Sequence, residues 1–495
     1  MSNPARVEYS GGRRFRGRLD GVRPSAQGET MRVLRRVRPT PEQIAVVRRI
    51  QTGASLIRGA AGSGKTTTAL LALRAATGAA VNHLRNDGLL PANVLVLTYN
   101  NSLRSYITAV AEDEMADYAD DVRLFISTFD KWAMDTLGWG VNAFDAAKGR
   151  LARLASAFPR DTSFVIDEVE YLLGRLPPDR LANYLTVERT GRGTSPAMPR
   201  AVRRQLLDDV VQPYIDWKVA NGARDFNDVA TGMIQAAHAF RYDVIVVDEA
   251  QDLSANQLRA VMRHAADDAT ITIVTDSAQR IYPRGAPWAE AGIVIAPGRS
   301  FRLAVNYRNT RQIASLAASI AAGLAVDDDG SLPDPAACRR DGPVPTLLLG
   351  KFGKQLAYVL DRLRRIDLTA ETVGFLHLKG GGWFDDVRAA LYSNGFEFCE
   401  LQGAAEWPDG PANIGLCTFH SAKGLEFDHV FMIGLAGDHV SYGVGEDDDR
   451  YDAHRRLVAM GVGRARQTVV LGTKPGEELP LLGTIPPAVI EGVRL

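Results

Sequence analysis

The stretch Leu56–Ala69 reads LIRGAAGSGKTTTA and is the most informative segment of this 495-residue chain. An apolar lead-in is followed by the spacing G-x-x-x-x-G-K-T, the pattern of a phosphate-binding P-loop. Glycines there let consecutive backbone N–H groups face phosphate oxygens, and the following helix adds its positive N-terminal end. The pattern predicts a nucleotide site in which Lys65 reaches the β- and γ-phosphates and the Thr66 hydroxyl holds Mg²⁺. The residues of this predicted site are Gly59, Ala60, Ala61, Gly62, Ser63, Gly64, Lys65, Thr66 and Thr67.

The composition is that of an ordinary globular protein, with 46% hydrophobic and 23% charged residues. Lys plus Arg and Asp plus Glu balance at 58 each, so contact with nucleic acid needs local basic patches. The three cysteines have no metal-ligand spacing, which indicates a reducing compartment and no zinc or cluster site. No apolar run approaches the roughly 20 residues of a membrane span, and the N-terminus lacks a signal-peptide core. We therefore expect a cytoplasmic protein without membrane contact.

The pattern of apolar runs predicts an α/β fold of parallel sheets with helices on both faces. Runs such as Asn93–Tyr99 are typical of strands buried on both faces. The predicted segments are a basic, Arg-rich extension (1–38), the first part of an α/β domain (39–137), a helical insertion (138–240), the rest of that domain (241–296) and a second α/β domain (297–495). The extension is either a solvated arm or an electrostatic tether to phosphate backbones. Strands of the second domain are predicted at Pro345–Leu349, Thr372–Leu376, Ile414–Thr418, His429–Ile433 and Thr468–Leu471.

Two carboxylates, Asp248 and Glu249, end the predicted strand Tyr242–Val247. A strand that delivers this pair beside a P-loop predicts Asp248 as a ligand of Mg²⁺ and Glu249 as the group that polarises the attacking water. A similar run, Phe164–Glu168, lies in the predicted helical insertion. The two runs differ in their downstream sequence, because only Glu249 is succeeded by Ala-Gln-Asp and then by TDSAQRIY.

The order of these motifs resembles that of superfamily 1 helicases of the UvrD/Rep type. RPTPEQ, GAAGSGKT, LTYNNSLRSYI, STF, DEAQD, TDSAQRIY, NYRNT, TFHSAKGLEF and RRLVAMGVGRAR come one after another as in that family. The resemblance runs from about Pro39 to Leu471. It implies two RecA-like P-loop NTPase domains with parallel sheets, a helical insertion in the first, and ATP in the cleft between them.

The resemblance also assigns side chains of both domains to ATP. In the first domain it assigns Gln43 to adenine and Gln279 to sensing of the γ-phosphate. It assigns Lys65 to the phosphates, Thr66 and Asp248 to Mg²⁺, and Glu249 to the attacking water. From the second it takes Arg308 and Arg464 as arginine fingers, Tyr307 against adenine and Glu426 toward the ribose. Guanidinium groups from another domain make hydrolysis depend on closure of the cleft.

Single-stranded nucleic acid is expected to cross the tops of both domains, held by backbone contacts and base stacking. Each aromatic ring assigned to it has core packing as an equal alternative. The predicted contacts are Tyr99, Asn100, Thr128, Phe129, Tyr282, Thr418 and His420.

The chain also departs from the family pattern in three places. Pro283 comes directly after Tyr282, where a Trp often lies just beyond the tyrosine, which weakens the expected stacking ladder. Ala459 and Gly463 replace a Tyr and a Thr near the second finger, so we expect Arg464 to be less rigidly aimed. The residues between NYRNT (306–310) and TFHSAKGLEF (418–427) have an α/β pattern, including Thr372–Leu401, that the second domain itself needs, which leaves no room for the family's large regulatory insertion.

These observations predict an ATP hydrolase and DNA helicase that uses ATP and Mg²⁺ and moves 3′ to 5′ along single-stranded DNA, with RNA left open because backbone-and-stacking recognition tolerates both. The alternative is a nucleic-acid-stimulated ATPase that acts as a switch subunit in a larger repair or phage-defence complex, beside a partner such as a nuclease or repair factor. A fused nuclease, suggested by Asp167 with Asp216 and Lys218, is disfavoured by its wide spacing. An NTPase unrelated to nucleic acid is disfavoured by the motifs near Tyr99, Tyr282 and Thr418.

Overall fold

The computed structural model describes residues 39–59, 62–98, 108, 111, 115–140, 144–189, 197–236, 241–275, 288–324, 335–379, 381–401, 412–437 and 449–495. Its strands are β1 (Gly53–Gly59), β2 (Ala92–Thr98), β3 (Val122–Thr128), β4 (Tyr242–Val247), β5 (Ala265–Thr275), β6 (Ser300–Leu303), β7 (Asn306–Thr310), β8 (Cys338–Arg340), β9 (Thr346–Leu349), β10 (Val373–His377), β11 (Cys399–Glu400), β12 (Ile414–Thr418), β13 (Phe427–Leu435), β14 (Ala465–Thr473) and β15 (Glu491–Arg494). Its α-helices are Pro41–Val47, Lys65–Asp87, Phe129–Leu137, Phe144–Ser156, Thr162–Arg175, Arg200–Leu206, Gln212–Asn221, Phe226–Gln235, Ala255–Arg263, Arg311–Ile320, Phe352–Leu363, Asp385–Ser393 and Asp449–Val462.

The first sheet has six parallel strands in the order β3-β2-β4-β5-β1-β6. Apolar side chains of the strands are buried on both faces, as expected for a parallel sheet covered by helices. Because all strands run the same way, the carboxyl ends of β1 and β4 reach the same edge, where ligands of such sheets bind. The predicted α/β fold with parallel sheets is confirmed.

The boundary predicted at residue 297 is wrong. Ser300–Leu303 pairs in parallel with β1 and is the edge strand of the first sheet. The change of sheet therefore falls between Leu303 and Asn306. A four-residue strand with alternating burial at a sheet edge gives too short a pattern to be distinguished from a loop in the sequence.

The insertion is helical in its described residues and has a hydrophobic core of its own, centred on residues such as Leu172 and Tyr214. Its last helix, Phe226–Gln235, behaves differently. Val229 and Met233 of this helix are fully buried in the core of the first sheet. The insertion is thus tied to the first domain by a helix that belongs to the packing of both.

The second sheet has seven parallel strands in the order β11-β12-β10-β13-β14-β9-β15. It contains every strand predicted for the second domain, and in addition the short strands β11 and β15. A separate two-stranded sheet, β7 with β8, lies between the two large sheets in the chain. Among the described helices, none combines the length and the apolar character needed to cross a membrane.

Candidate nucleotide site between the two sheets

The P-loop joins the end of β1 to the helix Lys65–Asp87. Gly62 and Gly64 have φ of +82° and +79°, the left-handed region that favours glycine. A Cβ at Gly62 would collide with Asn306, and one at Gly64 with Gln43. The Ser63 hydroxyl is buried and has no hydrogen-bond partner within the described residues.

A loop with this backbone and an unpartnered buried hydroxyl fits a group rich in oxygen atoms, such as a chain of phosphates. Lys65 folds back across the loop, and its Nζ donates to the Gly59 carbonyl at 2.7 Å. Ala60 and Ala61 lie outside the described residues.

The two predicted metal ligands are in direct contact. Thr66 Oγ1 donates to Asp248 Oδ2 at 3.0 Å, which links the start of the P-loop helix to the end of β4. A hydroxyl and a carboxylate are the oxygen donors that Mg²⁺ takes beside nucleotide phosphates, so the pair fits this cation. Burial, reinforced by the neighbouring charge of Glu249, raises the pKa of Asp248 to about 7. A bound dication would lower that pKa again.

Glu249 is held in an unusual backbone conformation. Its φ of +54° makes it the single non-glycine residue with positive φ in the described part of the chain. Such strain is found mainly at functional sites, where the surrounding structure fixes it. Gln251 Nε2 donates to Glu249 Oε2 at 2.5 Å. Burial alone would raise the pKa of Glu249, but Lys423, Lys65 and Arg464 together hold it down to about 2, so the carboxylate is ionised.

Positive charge from the second sheet faces this carboxylate. Lys423 is fully buried, its Nζ pairs with Asp252, and the same Nζ lies 3.6 Å from Glu249 Oε2. Arg464 is also buried, and its Nε donates to the Met460 carbonyl at 3.3 Å. Lys423 is not among the site residues predicted from the sequence. Its position between His420 and Glu426, in the motif TFHSAKGLEF, was the one indication in the sequence that it could belong to the site.

The first predicted finger, Arg308, pairs with the residue predicted to contact the ribose. Its Nη2 lies 2.5 Å from Glu426 Oε1, and its Nη1 donates to the Gly463 carbonyl at 3.4 Å. Burial would raise the pKa of Glu426, and the charge of Arg308 outweighs it, so this pKa is lowered. Arg308 is therefore held by the Glu426 carboxylate in this structure.

Gly463 is anchored by a route that the sequence pattern did not suggest. The Asn309 side-chain amide donates to the carbonyls of Gly463 and Ala465, at 3.1 and 2.6 Å. The backbone on both sides of Arg464 is thus fixed from β7. This anchoring acts on the backbone, so the looser aim of the Arg464 side chain that was expected from Ala459 and Gly463 stays a prediction.

Gln43 and Tyr307 lie beside the P-loop, at positions that suit contact with a nucleobase. Gln43 closes a capping box with Thr40, and its Nε2 donates to the Gly64 carbonyl at 3.2 Å. The Tyr307 backbone N–H donates to the Gly62 carbonyl at 3.0 Å, across the two domains. The guanidinium of Arg339 lies over the Tyr307 ring, 5.6 Å from its centroid.

The residues predicted to touch nucleic acid are placed in different ways. Thr128 caps the helix Phe129–Leu137, accepting from the Lys131 N–H at 3.4 Å. Phe129 is 2% exposed and packs edge-to-face on Trp132, with 5.7 Å between ring centroids. The predicted base contact of the Phe129 ring is therefore wrong for this structure, because the ring is enclosed by the core of the first sheet.

In the second domain, Thr418 ends β12, and its Oγ1 donates to Ser421 Oγ at 3.0 Å. His420 is partly exposed, and burial together with the charge of Lys423 lowers the pKa of its imidazole. Tyr99, Asn100, Gln279 and Tyr282 lie outside the described residues.

The fold and the site define a P-loop nucleotide-binding protein built on two parallel sheets that converge on one phosphate-binding loop. The family description "UvrD/REP helicase N-terminal domain" matches residues 40–289, and "UvrD-like helicase C-terminal domain" matches residues 402–474. The chain belongs to the UvrD/Rep helicase family.

Individual relatives share only parts of the chain. A "Probable DNA helicase" of Mycoplasma pneumoniae is 24% identical over 289 residues, which is 54% of this chain and 52% of that protein. DNA helicase II of Escherichia coli is 35% identical over 106 residues, 19% of this chain and 14% of that protein. Among solved structures, the C-terminal domain of a possible DNA helicase from Lactobacillus plantarum WCFS1 gives a TM-score of 0.29 at 21% identity, covering 38% of this chain and 99% of that one. The matched region thus spans about half of the first relative, 52% of its length, and less of the second.

Proposed function

We propose that this chain is an ATP-dependent DNA helicase that couples ATP hydrolysis to 3′ to 5′ movement along single-stranded DNA and to separation of duplex strands. The observation that carries the proposal is the convergence of charges at Glu249. This ionised carboxylate of the first sheet lies beside the Thr66–Asp248 pair and is faced by Lys423 and Arg464 of the second sheet. A centre assembled from two domains hydrolyses nucleotide only when they are together, which is what a stepping motor requires.

Each side chain at this centre has a role that derives from its chemistry. Mg²⁺, held by Thr66 and Asp248, would supply positive charge to the phosphate oxygens during transfer. Lys65 would exchange the Gly59 carbonyl for phosphate oxygens, since an ammonium binds an anion more strongly than a neutral carbonyl. Glu249, which is ionised, orients a water molecule and accepts its proton.

The two arginines act from the second domain. Arg464 is buried close enough to Glu249 for its charge to lower the pKa of that carboxyl group, and the backbone on both sides of Arg464 is fixed by Asn309. Arg308 must leave Glu426 to reach a phosphate. Closure of the cleft therefore exchanges one ion pair for another, and hydrolysis reverses the exchange.

The first experiment is a steady-state ATPase assay with and without single-stranded DNA. We expect strong stimulation by the strand and loss of both basal and stimulated activity in Lys65→Ala. The matched control is Lys474→Ala, which removes an exposed lysine that pairs only with Glu477 in the described residues and should leave both rates unchanged. Hydrolysis that the strand does not affect would contradict the proposal.

Polarity and unwinding need a second experiment. Duplexes with a single-stranded tail at either the 3′ or the 5′ end of one strand are incubated with ATP, and strand displacement is monitored by fluorescence. We expect displacement from the 3′-tailed duplex alone. Displacement from the 5′-tailed duplex alone would reverse the proposed direction.

A second candidate is a nucleic-acid-stimulated ATPase that acts as a switch subunit of a repair or phage-defence complex, with a nuclease or repair factor as partner. The observation that favours it is the short connection between β7 and β12. Its described residues form only the small β7–β8 sheet, strands of the second sheet and their helices. Stimulated hydrolysis without strand displacement, and without removal of streptavidin from a biotinylated oligonucleotide, would favour this candidate over the helicase.

A further inference from the structure

The backbone that carries the second arginine finger is intrinsically permissive. Gly463 and Arg464 form the turn between the helix Asp449–Val462 and β14. Glycine has more backbone freedom than any other residue, so a glycine directly before the arginine gives the finger many possible directions. The last carbonyls of a helix also lack partners within the helix and must be satisfied from outside. The direction of Arg464 therefore depends on what holds this turn.

Asn309 of β7 supplies the partners that the turn lacks. Its Nδ2 donates to the Gly463 carbonyl at 3.1 Å and to the Ala465 carbonyl at 2.6 Å, one on each side of Arg464. Both N–H bonds of the amide are used in this way. Asn309 is 2% exposed, so water does not compete for these bonds. Asn309 and Gly463 are 154 residues apart in the chain.

A second buried amide, Asn306, fixes Asn309 and the first finger together. Asn306 Nδ2 donates to Asn309 Oδ1 at 3.0 Å. Asn306 Oδ1 accepts from the backbone N–H groups of Arg308 and Asn309, at 3.1 and 3.0 Å. Because only the nitrogen of an amide donates and only its oxygen accepts, these contacts allow one orientation of each side chain. Asn306 and Asn309, which we call the amide pair, thus hold the backbone at both fingers.

The amide pair also lies against the phosphate-binding loop. The N–H of Tyr307, which comes between the two asparagines in the chain, donates to the Gly62 carbonyl at 3.0 Å. A Cβ at Gly62 would collide with Asn306 Oδ1, so the absence of a side chain there makes room for the amide pair. Both fingers are therefore placed relative to the loop, and not only relative to each other.

We propose that Asn309 is the positioning residue that orients Arg464 toward the nucleotide, in place of the threonine expected at position 463. The inference rests on the proposed function, because it takes Arg464 as an arginine finger. Loss of a side chain at position 463 increases the backbone freedom before Arg464. Two hydrogen bonds from an amide that is itself fixed remove that freedom again, since breaking them would leave buried carbonyls unsatisfied.

The test is the strand-stimulated ATPase of Asn309→Ala, measured beside Arg464→Ala and the double variant. Displacement of a catalytic group by about 1 Å can cost about 100-fold in rate, so we expect kcat of Asn309→Ala to fall by about 10- to 100-fold. The KM for ATP should change by less than about threefold, because the contacts of the P-loop with the ground state remain. The double variant should lie within about twofold of Arg464→Ala, since Asn309 acts only through Arg464.

Two further variants separate orientation of the finger from general stability. Gly463→Ala in the Asn309→Ala background should recover about threefold or more of the lost kcat, because alanine has less backbone freedom than glycine. Asn309→Ser keeps one donor in a smaller side chain and should give an intermediate kcat. It also keeps the test decisive if Asn309→Ala does not fold.

The matched control is an amide with the same chemistry and no finger between its acceptors. Asn256 is fully buried, and its Nδ2 donates to the carbonyls of Leu173 and Leu176 at 2.8 and 3.0 Å. Asn256→Ala also leaves two buried carbonyls without a donor, so its melting temperature should fall as that of Asn309→Ala does. Its kcat, measured below the transition, should remain within about twofold of the wild type, because only Asn309 acts through a finger.

Three outcomes overturn the inference. One is a kcat of Asn309→Ala, or of Asn309→Ser where the alanine variant does not fold, that equals the wild-type value. Another is a double variant that is slower than Arg464→Ala by the full factor that Asn309→Ala causes alone. The third is an equal loss of kcat in Asn256→Ala. An Arg464→Ala variant with the wild-type kcat would instead contradict the finger itself and with it the proposed function, so this variant distinguishes the two failures.

Discussion

Two regions of the molecule carry nearly the same local sequence and use it in opposite ways. Ile166-Asp167-Glu168 lies in the helix Thr162–Arg175, within the insertion. Val247-Asp248-Glu249 ends a strand at the nucleotide site. Glu168 is 0% exposed and is enclosed by Arg189, with two contacts of 2.8 Å, and by the Tyr184 hydroxyl.

Both glutamates are buried beside positively charged side chains, so burial and neighbouring charge do not distinguish them. The difference lies in the origin of the partners. Arg189 and Tyr184, which hydrogen-bond Glu168, both come from its own insertion, within 21 residues of the chain. Glu249 is approached by Lys423 and Arg464 from another domain and has a strained backbone. Glu168 keeps its partners because they belong to the same insertion, which makes it a structural carboxylate. Glu249 has partners on another domain that can move away, which allows it a functional role.

The largest effect is expected at the functional glutamate. Glu249→Gln should lower the strand-stimulated kcat by about 100- to 10,000-fold, because an amide cannot accept the proton of water. Thermal stability should be retained or slightly lowered, because the carboxylate faces the buried Lys423, which keeps Asp252 as a counter-charge. Activity and melting temperature measured on the same sample check both statements. A variant with more than a tenth of the wild-type activity would contradict the role given to Glu249.

The matched change in the insertion should act on stability instead. Glu168→Gln leaves the Arg189 guanidinium without its counter-charge in a buried place, which should reduce the free energy of unfolding by about 3 kcal/mol. Urea denaturation measures this loss, and the ATPase rate below the transition should be unchanged. Glu188→Gln, which changes the glutamate next to Arg189 in the chain, is the control. Loss of ATPase without loss of stability in Glu168→Gln would erase the distinction between the two sites.

The neighbouring aspartates extend the comparison. Asp248→Asn should lower kcat/KM by about 100-fold and raise the Mg²⁺ concentration required, because a carboxylate ligand is lost. Titration of the ATPase with Mg²⁺ measures both. The matched variant Asp167→Asn lies on a partly exposed helical position and should titrate as the wild type does. Equal Mg²⁺ dependence in the two variants would argue against Asp248 as a ligand.

The smallest effect tests how closely Glu168 is enclosed. Tyr184→Phe removes a hydroxyl that donates to the Glu168 carboxylate and should cost about 1 to 2 kcal/mol of unfolding free energy. Arg189 retains its contacts with the glutamate, which is why the loss is smaller than that of Glu168→Gln. Urea denaturation beside that variant gives the comparison. An effect as large as that of Glu168→Gln would show that the hydroxyl, and not the guanidinium, holds the site together.

Much of the fold was predictable because buried parallel strands are continuous apolar runs. The strands at Ile414–Thr418 and Phe427–Leu435 were found where such runs lie. Five strands escaped prediction, and each has only two to five residues. Strands β6, β11 and β15 lie at sheet edges, and β7 and β8 pair only with each other. At that length, a strand is determined by the neighbour with which it pairs, and the neighbour is distant in the chain.

The candidate site was predictable in its residues and less so in their relations. The contact of Thr66 with Asp248 is explained by strand order, since both residues lie at the same sheet edge. Strand order does not explain the burial of the Phe129 ring, because the sequence STF is compatible with either an exposed or a buried ring. The backbone next to Arg464 is anchored by the Asn309 side chain, and no sequence-spacing rule connects positions 309 and 464.

The sequence alone determined the phosphate-binding loop, the parallel sheets and the carboxylate pair at the strand end, because each depends on backbone geometry and apolar pattern within a short stretch of chain. The tertiary structure alone decided that Lys423 reaches Asp252 and Glu249, across 171 residues and from one domain to the other. The physical reason is that a buried charge is tolerated only where a counter-charge meets it, and that meeting point exists only once two separately folded sheets are docked.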